Sequence, residues 1–180
     1  MTAPATPALP ITETVWCNAL WFQGLWFTTV LGREGLLPLA AALLALHLVL
    51  VGDKRRELMR FAGVGALGIA VDAVLSGAGI YQFAGGVLVP MWLVCLWLGF
   101  SAALARSLAY LSDKLLWAAG AGAVVFPLNY WAGERLGAVE FGLPLPATLV
   151  IVGLTWAVML PVLYLLSSAI ATAGSVGGRA

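Results

Sequence analysis

Apolar residues in this chain fall into long, nearly unbroken runs, divided by short polar or glycine-rich breaks. No run alternates polar and apolar residues with period two, as β-barrel strands do, and none keeps the polar face of a helix on a soluble domain. Crossing about 30 Å of hydrocarbon takes about 20 predominantly apolar residues in a helix. Read that way, the pattern predicts six spans, at residues 14–31, 36–52, 61–83, 87–105, 115–131 and 147–168. The breaks read "GREG", "DKRRELMR", "AGG", "RSLAYLSDK" and "AGERLGAVEFGLPLP". The expected fold is therefore all-α, a polytopic transmembrane bundle of about six helices.

Composition agrees with the pattern. Of 180 residues, 62% are hydrophobic and 9% charged, where a soluble domain carries about 25% charged residues. Net charge is +1, so no global field recruits nucleic acid, and no nucleic-acid partner is expected. Short basic loops resist translocation. Lys54, Arg55, Arg56, Arg60, Arg106, Lys114 and Arg179 lie on one side of the predicted bundle, against Arg33 and Arg135 on the other. That bias puts both termini in the cytoplasm. Residues 1–13 read as a short polar tail, 14–170 as one membrane domain and 171–180 as a flexible tail. "MTAPATPALPITET" has no basic residue and no cleavage site, so a removable signal peptide is not expected.

The candidate chemistry centres on Asp72. Eleven residues into its span, at about 1.5 Å each, it lies about 16 Å deep, near the bilayer midplane. A carboxylate there must pair, line a hydrated cavity or bind a proton, so it is a functional candidate, with structural glue as the alternative. Gln23, Trp26, Trp97 and Thr155 fall near its level. His47 lies about 8 Å deep, where a water bridge to Asp72 is more plausible than contact; it reads as a proton relay or an interhelical bond. Asn18 is shallower, and Asn129 with Tyr130 lies toward the outside. Asn18, His47, Gln23, Asp72 and Asn129 thus sample successive depths, as a polar passage would. Against that, Asn18 and Gln23 point about 140° apart around one helix.

Trp16, Trp117, Trp92 and Trp131 fit the two interfacial belts. Trp21, Trp26, Trp97 and Trp156 are too deep for belts and either fill the core or line a site for a planar or apolar ligand. "DKRRELMR" reads as a positive-inside signal and Arg106 as a residue snorkelling to headgroups. "FAGVGALGIAVDAV" and "WAAGAGAVVFPLNYW" share Gly-x-Gly-Ala with Asp72 and Asn129 at matching offsets, the pattern of a duplicated hairpin. Cys17 and Cys95 read as small hydrophobes at different depths. No metal, cofactor or recognised catalytic motif is expected.

The stretches "NALWFQGLWF", "LHLVL" with His47, the glycine-rich span ending in Asp72, "LWLGF" with Trp97 and "PLNYWAGERLGAV" resemble an uncharacterised bacterial inner-membrane family, the domain of unknown function 2878. The resemblance covers most of residues 15–165, and it implies a multi-span inner-membrane location without an established activity. The expected function is a small carrier or channel-like protein with Asp72 as a protonatable site. The alternatives are a membrane enzyme or accessory factor acting on lipids or quinones, and a structural subunit of a membrane complex. Expected partners are membrane lipids, a small-molecule, lipid or proton ligand, and a second copy or another membrane protein.

Overall fold

The computed structural model describes residues 13–176. It consists of helices with one pair of very short strands: α1 (Val15–Gly32), α2 (Leu37–Leu50), α3 (Lys54–Gly77), β1 (Tyr81–Gln82), α4 (Met91–Leu104), α5 (Leu115–Arg135), β2 (Glu140–Phe141) and α6 (Leu145–Val176). Four helical stretches are long and apolar enough to cross a membrane: Val15–Leu50, Lys54–Gly77, Leu115–Arg135 and Leu145–Ala173. Met91–Leu104 is a shorter apolar helix. Their outer faces carry Leu20, Phe27, Leu46, Val74, Leu116, Val124, Leu154 and Val158, all exposed. Such a surface suits hydrocarbon rather than water.

The stretch Val15–Leu50 doubles back on itself. Arg33 breaks the helix with φ 48° and ψ −134°, and Pro38 helps to start the next. Beyond the break α2 runs antiparallel to α1, so the Trp21 indole N–H donates to the Leu43 carbonyl at 3.1 Å.

α3 starts earlier and stops sooner than the expected span 61–83. The basic run "DKRRELMR" is its first two turns rather than a loop, because Asp53 caps it by accepting the Arg56 backbone N–H at 2.9 Å. A wide π turn over Phe61–Gly65 carries it onward. It ends at Gly77, and Gly79, at φ +74°, turns the chain back. That turn delivers β1, which pairs antiparallel with β2 (Tyr81 opposite Phe141, Gln82 opposite Glu140). A second turn at Gly137, φ +72°, brings β2 into place.

α5 and α6 pack most closely, because glycine lets their backbones meet. A Cβ at Gly122 would lie 2.0 Å from the Trp156 carbonyl oxygen. α6 continues to Val176, into the segment expected as a tail. Residues 1–12 and 177–180, including Arg179, lie outside the described residues.

Chain ends and loops sort to two ends of the bundle. One holds Glu13, His47, Glu57, Arg60 and Arg106, joined by hydrogen bonds. At the other, Arg33 donates to the Leu136 carbonyl and Glu34 accepts the Met91 backbone N–H at 3.0 Å.

Candidate functional site

Asp72 is completely buried, but because α3 runs from Lys54 to Gly77 rather than over 61–83, it stands five residues before the helix ends and not at the midpoint expected from the longer span. The stripe of α3 that faces inward runs Glu57, Phe61, Val64, Gly65, Gly68, Asp72, Leu75 and Ser76, the spacing of a single helical face. One carboxylate oxygen accepts from the Tyr81 hydroxyl at 2.7 Å and from the Tyr130 hydroxyl; the other accepts from the Trp97 indole N–H at 2.7 Å. Tyr81 comes from the returning loop, Trp97 from α4 and Tyr130 from α5, so one side chain ties three segments together. The two tyrosine rings stack at 4.9 Å. Burial and the neighbouring Asp72 carboxylate push the Tyr81 phenol well above its ordinary pKa, keeping it protonated as a donor.

Glycine makes room for this arrangement. A Cβ at Gly68, one turn before Asp72, would lie 2.2 Å from a ring carbon of Trp97. Trp97 therefore lies flat across the α3 backbone with its N–H on Asp72. Its other face stacks on Trp156 at 4.9 Å, and Trp156 stacks on Phe126 at 4.3 Å. The Trp156 indole N–H is buried with no partner among the described residues.

In front of this wall lies a partly open groove of about 730 Å³ between α1 and α5, with α4 as its floor. α1 contributes Phe22, Gln23, Trp26 and Phe27; α4 contributes Trp92, Leu96, Trp97 and Phe100; α5 contributes Phe126, Asn129 and Tyr130. It runs from Ser107 near one end of the bundle to Phe83 and Val139 near the other. Asp72 is not part of its lining. It stands one layer behind, bonded to two residues that are, Trp97 and Tyr130.

A second polar cluster closes the other end of α3. Glu57 is as buried as Asp72. Its two oxygens accept from Arg106 Nη1 and Nη2, both at 2.9 Å, while Oε1 lies 2.7 Å from His47 Nε2 and Oε2 accepts from Arg60 at 3.1 Å. Arg106 also grips Glu13 through Nε at 2.9 Å and Nη2 at 3.1 Å. Burial works to lower the Arg106 pKa, but the two carboxylates outweigh it and hold the guanidinium charged. Trp21 stacks on the His47 ring at 4.5 Å. Beside it, Asn18 Oδ1 accepts from the Ser107 hydroxyl at 2.8 Å and its backbone N–H at 3.3 Å.

The residues expected to share one polar passage are thus divided among three places. Asp72 and Tyr130 form one cluster with Trp97 and Tyr81. His47 bonds Glu57 instead of reaching Asp72 through water, because the basic run is helical and brings Glu57 to its own depth. Asn18 belongs with Ser107. Gln23 and Asn129 line the groove and are exposed; the Asn129 amide donates only to the Val125 carbonyl of its own helix, at 2.8 Å. Asn129 therefore does not play the part in α5 that Asp72 plays in α3, and the two suggested repeat copies differ at the residue that aligned them.

Of the deep aromatics, Trp26 and Trp97 line the groove, Trp156 backs it, and Trp21 is occupied with His47 and Leu43. Thr155 is half-buried and outside the lining. Trp92, expected in the outer belt, is instead buried against Phe83 and lines the groove. Trp16, Trp117 and Trp131 are exposed, as belt residues are. Arg106 does not snorkel outward but turns in to Glu57. Tyr81, Glu57 and Glu13 are site residues that the sequence reading missed. Glu57 carried a readable signal, since it falls on the helical stripe of Asp72.

A family model described as a protein of unknown function (DUF2878) matches residues 15–162. No curated protein and no solved structure matches the chain.

Proposed function

The chain belongs to the family of unknown function DUF2878, and from that premise we propose that it is a membrane protein that binds an apolar or amphiphilic molecule drawn from the surrounding lipid. The observation that carries this reading is the groove. It has the volume of a small-molecule site and an aromatic lining, and two of its wall residues are held from behind by a buried carboxylate. Asp72 is a positioning residue in this reading: it fixes the rings of Trp97 and Tyr130 so that the wall keeps its shape with or without an occupant. The reading assigns binding and no covalent chemistry.

The topology that goes with it has six crossings of a bacterial inner membrane and both termini in the cytoplasm. The doubling back at Arg33 supports counting Val15–Leu50 as two crossings. The basic residues gathered at the Glu57 end support placing that end inside. The groove then opens sideways to the acyl chains.

The test is purification in mild detergent followed by lipid extraction and quantification by mass spectrometry. About one retained molecule per chain is expected in the wild type, and a marked loss in Trp97→Ala and Phe126→Ala variants whose helicity is unchanged by circular dichroism. A wild-type chain that retains nothing in stoichiometric amount would sink the reading.

A second reading, a small carrier with Asp72 as its proton site, is favoured by one feature. The hydrogen bonds to Asp72 all come from neutral donors, so its carboxylate can gain or lose a proton without stranding a cation. Proteoliposomes in which wild type and Asp72→Asn leave a pH gradient equally intact would rule it out.

A further inference from the structure

Resting on the groove reading above, we infer that the occupant is an uncharged lipid bearing carbonyl-type acceptor oxygens, rather than a fatty acid or a phospholipid. Two features of the lining carry this. First, none of its residues is Asp, Glu, Lys, Arg or His. A carboxylate or phosphate drawn into the groove would be desolvated with no cation to meet it, which is prohibitive in a low-dielectric site.

Second, the groove is not simply greasy. The indole N–H of Trp97 and the hydroxyls of Tyr130 and Ser107, which could have served a ligand, are already committed to Asp72 and Asn18. The amide of Gln23 and the indole N–H groups of Trp26 and Trp92 have no hydrogen-bond partner among the described residues. Trp92 is 6% exposed and part of the groove lining. Donors facing hydrocarbon are costly unless an acceptor comes to them. A pure hydrocarbon tail would leave them unmet; carbonyl oxygens would meet them, with the flat part of the molecule against the aromatic walls. Two kinds of membrane molecule offer that chemistry, a prenylated quinone and a neutral acyl ester such as diacylglycerol.

Native mass spectrometry of the full chain in micelles tests this with four probes at equal mole fraction: a short-tailed benzoquinone, a medium-chain diacylglycerol, a free fatty acid and phosphatidylglycerol. One saturable adduct per chain is expected with the quinone or the diacylglycerol, and the tighter of the two names the source. Binding should fall on the order of tenfold in Gln23→Leu combined with Trp92→Phe, the loss of one or two hydrogen bonds. The inference is overturned if the fatty acid or phosphatidylglycerol binds as well as the neutral probes. It is equally overturned if the double substitution leaves neutral-lipid binding intact. If endogenous lipid is retained but neither neutral probe binds, this inference fails and the groove reading stands. If nothing is retained and nothing binds, both fail.

Discussion

α3 carries two buried carboxylates, and their surroundings are opposite. Glu57, in the first turns, meets two guanidinium groups and an imidazole. Asp72, about four turns further on, meets two phenols and an indole. What covers each carboxylate accounts for the difference. Near a helix end, long side chains can reach Glu57 from backbone close to the headgroups, Arg106 from the turn after α4 and Arg60 from one turn along α3 itself. Asp72, five residues before α3 ends at Gly77, is covered by the returning loop, α4 and α5, where a partner cation would have to be desolvated as fully as the acid it serves, and neutral donors satisfy a carboxylate without that second cost. Charge pairing clasps one end of α3, and neutral hydrogen bonding near its other end holds the wall of the groove.

The sharpest break in this comparison is Glu57→Ala. It leaves Arg106, whose side chain is 4% exposed, with Glu13 as its remaining carboxylate and His47 without its acceptor; removing one partner of a buried pair costs about 3 to 5 kcal/mol, and the bond kept to Glu13 puts this loss at the lower end. Equilibrium unfolding in mixed micelles should show that loss. Adding Arg106→Leu should recover part of it, and a double variant as unstable as the sum of the singles would mean the pair is not coupled.

Asp72→Asn should cost less, about 2 to 3 kcal/mol. One amide oxygen still accepts, while the amide N–H₂ confronts a donor that expected an acceptor. Its distinguishing effect is on the groove: lipid retention should fall with Asp72→Asn and hold with a Glu57 variant that still folds. Gly68→Ala comes next, at about 1 to 3 kcal/mol for overpacking. The added methyl pushes Trp97 off the α3 backbone, and a shift in tryptophan fluorescence should accompany it. An unchanged spectrum and midpoint would show that the ring does not need that glycine.

How far these two clusters could be read from sequence differs for a physical reason. The apolar runs announce helices of membrane-crossing length, but the depth counted for Asp72 rested on a span over 61–83, and in the helix Lys54–Gly77 it stands five residues from the end. The cluster around Glu57 was hidden because a run of basic residues has a sufficient explanation as a topology signal, even though helical phase places Glu57 on the buried stripe with Phe61, Gly68 and Asp72. Tyr81 was hidden because hydropathy continues smoothly past Gly77, and the turn at Gly79 that carries the tyrosine back to Asp72 leaves no mark on it. The groove was beyond reach altogether, since it exists only through which helices are neighbours: α1 and α5 stand apart across α4. Residues such as Gln23 and Trp92 could be named as polar or aromatic at a given depth, but not as facing one another's space.

The smallest expected effects test how much redundancy each cluster has. Tyr81→Phe removes one of three donors to Asp72. Tyr130 and Trp97 remain in place, and the loss expected is about 1 kcal/mol, that of a single hydrogen bond. Arg60→Ala removes one of several donors to Glu57, yet its effect should be smaller still. Arg60 makes a single bond at 3.1 Å where Arg106 makes two at 2.9 Å, so the carboxylate keeps its principal cation and its histidine. The Arg60 Nε is moreover buried without a partner among the described residues, and truncating the side chain removes that unmet donor along with the bond. The two changes oppose each other, leaving a net loss below about 0.5 kcal/mol. If Arg60→Ala instead destabilised the chain more than Tyr81→Phe, the clasp would depend on its total positive charge rather than on the Arg106 bidentate pair, and the contrast between the two ends of α3 would have to be redrawn on that basis.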